Sequence, residues 1–141
     1  MRLHINLAVE NIENSVRFYS ALFSIEPSVL KEDYAKWMLD DPHVNFAIST
    51  RRAAKGLDHF GVQVESEAEL HTVYDRLKTA ELPFSEEGQT ACCYARSDKA
   101  WSFDPDGNAW ETFLTLGEHP VYGSEAQLES RRENIAGKQG V

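Results

Sequence analysis

One pattern limits the folds open to this chain: a strand, a helix and further strands, written twice along 141 residues. Leu3, Ile5, Leu7 and Val9 alternate with His4, Asn6 and Ala8, the period of two of a strand with one apolar face. Asn11 is placed to cap an amphipathic helix over about residues 11–24, with Ile12, Val16, Tyr19 and Leu22–Phe23 at helical spacing. Ser28 to Leu39 is mixed, with strand character at Trp37-Met38-Leu39. A turn at Asp40-Asp41-Pro42-His43 leads into a strand over Val44–Ser49. Arg51 to Gly56 is short, basic and polar, and reads as a linker.

The pattern then restarts. In Leu57–Val64, Phe60, Val62 and Val64 share one face, and His59, Gly61 and Gln63 share the other. Ser66 and Glu69 form a capping box, opening a helix whose stripe is Leu70, Val73 and Leu77. Pro83 stops any continuation. Glu87-Gly88 reads as a turn. Strands are expected over Ala91–Ala95, Ala100–Phe103 and Trp110–Leu114, the last two joined through Asp106-Gly107.

The expected fold is therefore α+β, with two tandem βαβββ modules forming one curled-sheet cleft. Module one covers about residues 1–50, the linker 51–56 and module two 57–116, a single domain over 1–116. Residues 117–141 read as a polar tail, partly helical or disordered, with an exposed helix over Ser124 to Ile135. A formal charge of −9, from 23 acidic and 14 basic residues, argues against nucleic-acid or anionic-membrane partners, which need a cationic footprint. No apolar run approaches the roughly 20 residues of a membrane span. The N-terminus runs straight into strand-like sequence without a signal-peptide pattern. A cytoplasmic location is expected, with both cysteines as reduced thiols.

Aligned on the repeat, His4 falls opposite His59 and Ala47 opposite Glu111. Glu111 is a carboxylate among aromatic and β-branched neighbours, a setting that disfavours a charge unless something pairs with it. His4 and His59 lie on the strand faces turned away from the apolar residues. Two imidazoles and one carboxylate make the facial triad of non-haem Fe(II) sites, which leaves positions open for O2 and substrate. Ala47 has no ligand atom, and a three-ligand site favours oxygen activation over Lewis-acid chemistry. Isolated strand histidines are also ordinary core or surface residues; equivalence in the repeat is what singles out this pair. His43, His71 and His119 read as surface residues.

Cys92 and Cys93 are adjacent, and on a regular strand they would point to opposite faces. They serve one ligand only if the chain bends there, and Gly88 to Ala91 read as a loop that allows it. Taken from the residues alone, the pair is either a site for a thiophilic centre such as trivalent arsenic, or two small buried hydrophobes. Arg96 and Lys99 flank an expected turn at Ser97-Asp98, and read either as contacts to an anionic substrate group or as solvated charges.

The doubled unit, His4 with His59, and Asp104-Pro105-Asp106-Gly107-Asn108 leading to Glu111 together resemble the vicinal-oxygen-chelate superfamily. This is the group of glyoxalases, bleomycin-resistance proteins and extradiol dioxygenases, and the resemblance covers about residues 1–116. Within it, Ala91-Cys92-Cys93-Tyr94-Ala95 followed by Ser97-Asp98-Lys99-Ala100-Trp101 resembles the branch of carbon–arsenic lyases and cadmium-induced proteins. That resemblance implies an Fe(II)- and O2-dependent lyase. Its substrates would be trivalent organoarsenicals, such as methylarsenite and trivalent aromatic arsenicals, and it would release arsenite. It implies His4, His59 and Glu111 as the iron ligands at the catalytic centre, and Cys92 and Cys93 as the arsenic-binding pair. Members of the superfamily often form homodimers. Two other functions are compatible with the group: thiol-based sequestration of cadmium or antimony, and a glyoxalase-type isomerase or thiol transferase. Ala47 argues against the glyoxalase version.

Overall fold

A computed structural model describes residues 1–92, 94–118 and 135, with the backbone alone at 89–92, 95, 96 and 118. Its elements are β1 (Arg2–Ala8), α1 (Ile12–Phe23), β2 (Val29–Lys31), β3 (Tyr34–Asp40), β4 (His43–Ser49), β5 (Gly56–Val64), α2 (Glu67–Thr79), β6 (Phe84–Cys92), β7 (Ala95–Phe103) and β8 (Ala109–Glu118). Among the described residues they form two βαβββ modules. The chain forms two compact units, Arg2–Phe60 and Gly61–Val141 with Met1, dividing inside β5.

In the first unit the strand order is β2-β3-β4-β1. Strand β1 runs parallel to β4, with His4 opposite Asn45 and Asn6 opposite Ala47. The β3–β4 pair is antiparallel. One face of these strands carries Ala35, Trp37, Leu39, Val44, Phe46 and Ile48, and Val16, Tyr19 and Phe23 of α1 pack against it. Each such large side chain contributes about 1.5–3 kcal/mol when fully buried. Leu22 lies off this stripe and is exposed. The helix begins where Asn11 accepts a 2.8 Å hydrogen bond from the Asn14 N–H. It ends at Ser24, in the left-handed region at φ 54°, where the Ile25 N–H reaches back to the Ser20 carbonyl. Strand β2 is the element the sequence pattern does not reveal; three residues are too few to show alternation.

The second unit repeats the plan, with β8-β7-β6 following β5. Val64, Leu70, Tyr74 and Ala100 form its helix-side core, with Val62, Val73, Phe84 and Leu114 packed around them. Ser66 caps α2 by accepting from the Glu69 N–H at 3.2 Å. In return the Glu65 N–H donates to the Glu69 carboxylate at 2.8 Å, one residue before the position a regular capping box uses.

Strands β6 and β7 correct the reading of this stretch. Glu87-Gly88 is not a turn: it lies within β6, where the register slips between Glu86 and Gly88. Gly88 to Ala91 are strand, not loop. Ser97-Asp98 is likewise not a turn but the interior of β7. Strand β6 ends at Cys92 and β7 begins at Ala95, so the expected strand 91–95 is divided, with Tyr94 in the left-handed region at φ 60°. Of the expected helix at Ser124 to Ile135, Ile135 alone lies among the described residues; it is helical but buried rather than exposed.

Candidate metal centre

On β1, Ile5 and Leu7, which pack on the α1 side, are only half-buried, whereas His4, Asn6 and Ala8 on the polar face are buried. Burying polar groups costs free energy unless each finds a partner, so their partners define the site. His4 is 5% exposed, and its Nδ1 lies 3.1 Å from the backbone carbonyl of Asn45, its register partner on β4. A carbonyl only accepts, so Nδ1 carries the hydrogen and Nε2 turns a lone pair outward.

His59, on β5, is 1% exposed. Its Nδ1 lies 2.7 Å from Oδ2 of Asp58, and the other oxygen of that carboxylate is 3.2 Å from Nε of Arg52. The carboxylate again accepts, so Nδ1 of His59 carries the hydrogen and its Nε2 presents a lone pair. The two Nε2 atoms face one another at 3.2 Å. Two lone pairs at that distance repel unless a cation or a proton sits with them. Two nitrogens bound to one ion at about 2.1 Å are about 3.0–3.4 Å apart for angles from a right angle to tetrahedral, which brackets the observed spacing.

Glu111, on β8, is 6% exposed. One ligand atom each from His4, His59 and Glu111 lies within 4.8 Å of the others. Two neutral imidazoles and a carboxylate suit a divalent transition ion. The carboxylate is held by Lys99, whose Nζ donates to Oε1 at 3.1 Å; Lys99 itself is 3% exposed. Lys99 stands opposite Phe113 and Trp101 opposite Glu111 in the β7–β8 register, so lysine and carboxylate meet diagonally on one face. The Lys99 ammonium also lies 5.7 Å from the centre of the Trp101 ring.

His4, His59 and Glu111 form a group that could hold a metal ion. Ala47 is wholly buried in β4 and offers no donor. His43 and His71 are exposed, as expected, and His119 lies outside the described residues. Cys92 ends β6, but its side chain and the whole of Cys93 lie outside the described residues, as does the side chain of Arg96. Sequence reasoning missed Asp58, because neighbours on a strand ordinarily face opposite sides. It also missed the partner of Lys99, because the false turn at Ser97-Asp98 hid the parity that aligns residue 99 with 111. No helix among the described residues is long and apolar enough to cross a membrane.

Residues 2–112 match the model of the Glyoxalase/Bleomycin resistance protein/Dioxygenase superfamily, and the chain belongs to that superfamily. A trivalent organoarsenical cleaving enzyme of Bacillus sp. (strain MD1) is 46% identical over 115 residues, covering 79% of this chain and 71% of the relative. The cadmium-induced protein CadI of Mycobacterium bovis is 35% identical over 124 residues, covering 87% and 82%. Among solved structures, a catechol 2,3-dioxygenase shares the fold with a TM-score of 0.57 at 15% identity, over 94% of this chain and 49% of the other.

Proposed function

We propose that this chain is an Fe(II)- and O2-dependent carbon–arsenic lyase acting on trivalent organoarsenicals. The observation that carries the reading is the pair of Nε2 atoms facing each other at 3.2 Å with Glu111 in reach. The Bacillus relative, a trivalent organoarsenical cleaving enzyme, suggests the substrate class. His4, His59 and Glu111 would hold the iron, and bound there Fe(II) supplies the one-electron chemistry that triplet O2 requires. The absence of a ligand atom at Ala47 supports a three-ligand site. Asn45 and Asp58 each take the Nδ1 hydrogen, which makes Nε2 the nitrogen that each ring would offer the ion.

Cys92 and Cys93 capture the substrate. Each thiol displaces one hydroxyl from the trivalent arsenic as water, so two sulfur–arsenic bonds form and the carbon–arsenic bond is retained for cleavage. Holding the arsenical in place removes the entropy cost of a collision. Arg96 is a further candidate substrate contact.

The test is arsenite release from methylarsenite with added Fe(II), in air and under argon. Release in air alone is expected, lost in Glu111→Ala and in the Cys92→Ser/Cys93→Ser double variant. Stoichiometric binding of the arsenical with no arsenite formed would leave a sequestration protein instead, and full turnover by the double serine variant would remove the thiols from the account.

A further inference from the structure

Lys99 is a buried cation within 3.1 Å of a residue that is itself a candidate ligand for a cation. A bare ammonium there would repel an incoming divalent ion, so its presence asks for a reason. One reading is simple charge balance: a buried carboxylate needs a counter-charge. The geometry points further. Lys99 bonds to Oε1 of Glu111. Its stem is fixed by the β7–β8 register, and its head lies against the Trp101 ring. Trp101 is held in turn, its Nε1 donating to Oε1 of Glu87 at 3.2 Å. Glu87 sits where the register slips between Glu86 and Gly88, on the strand that ends at Cys92. Carboxylate, ammonium, indole and second carboxylate thus form one buried-to-surface chain.

We propose that Lys99 is the positioning residue of the centre: it occupies Oε1 of Glu111, so that Oε2 is the oxygen offered to the ion. Trp101, anchored by Glu87, keeps the ammonium at that oxygen. The inference rests on the metal reading of His4, His59 and Glu111, and it goes beyond that reading by assigning the two carboxylate oxygens different tasks. Counter-charge and positioning predict opposite signs. A mere counter-charge opposes the ion, so removing it tightens binding. A positioning residue favours the ion, so removing it weakens binding, by about 10–100-fold for a partner of a metal ligand.

The experiment is anaerobic titration of the full chain with Co(II), following both affinity and the visible ligand-field band. Wild type is expected to bind Co(II), and His59→Ala to lose it. Lys99→Met is expected to bind about 10–100-fold more weakly, with a shifted band. Lys99→Arg keeps the charge but its fork engages both carboxylate oxygens, so it too is expected to weaken binding. It decides the matter if Lys99→Met fails to fold. Equal or tighter binding by Lys99→Met, or an Arg variant indistinguishable from wild type, overturns the positioning role while leaving the metal site standing. A wild-type chain that binds no Co(II) overturns the site and this inference with it.

Discussion

At the scale of single residues, the two candidate histidines are told apart by what holds their far nitrogens. His4 leans on a backbone carbonyl, which no substitution removes, whereas His59 leans on the side chain of Asp58. Asp58→Ala should therefore loosen the His59 ring and weaken metal affinity by about 10–100-fold. Circular dichroism should be unchanged, because Asp58 lies near the strand start and touches neither apolar core. Titration with Co(II) checks this, and an unchanged affinity would mean that packing alone orients the ring. The candidate triad was legible in the sequence because period-two alternation places His4 and His59 on the non-helix face and the repeat pairs them. Asp58 and Lys99 were not legible, since a hydrogen-bond partner chosen by rotamer leaves no periodic trace.

At the scale of elements, the turn between β7 and β8 fixes where Glu111 falls. Asp104 accepts from the N–H groups of Asp106 at 3.0 Å and Asn108 at 2.8 Å, and its other oxygen accepts from the Asn108 side chain at 2.8 Å. Gly107, at φ 85°, supplies the left-handed residue that closes the loop. The bond from the Asn108 side chain, followed by those from its backbone and from Asp106, holds the Asp104 carboxyl below the usual carboxylate range. A lowered folded value means that the unfolded chain takes up the proton first. The contribution of Asp104 is thus fully present above the ordinary carboxylate range, and is lost as pH falls through the lower folded value. In urea melts at about pH 6 and about pH 3, Asp104→Asn should be less stable than wild type at the higher pH, with the gap closing at the lower. A gap independent of pH would show that the turn does not depend on the carboxylate's charge. Asp-Gly marked this turn in the sequence. Glu87-Gly88 looked alike but is a bulge, because glycine at positive φ serves both purposes and only the pairing partner tells them apart.

For the whole molecule, the decisive fact is that the candidate ligands come from residues 4, 59 and 111, on the first strand, the fifth and the last. An unfolded chain cannot hold three groups so far apart in sequence around one ion, so binding is tied to the folded state. The two modules were readable because each repeats the same local signals, a strand, a capped helix and a returning sheet. Their strand orders, β2-β3-β4-β1 and the matching β6-β7-β8-β5, were not, since pairing is a non-local choice. The coupling has a measurable size. At a free Co(II) concentration about 100 times its Kd, the stability of the chain should rise by about 2.7 kcal/mol. Denaturant melts with and without the ion should show that rise in wild type, its absence in Glu111→Ala, and its reversal by a chelator. If Glu111→Ala gained as much as wild type, the ion would be bound elsewhere, and β8 would have no part in the centre.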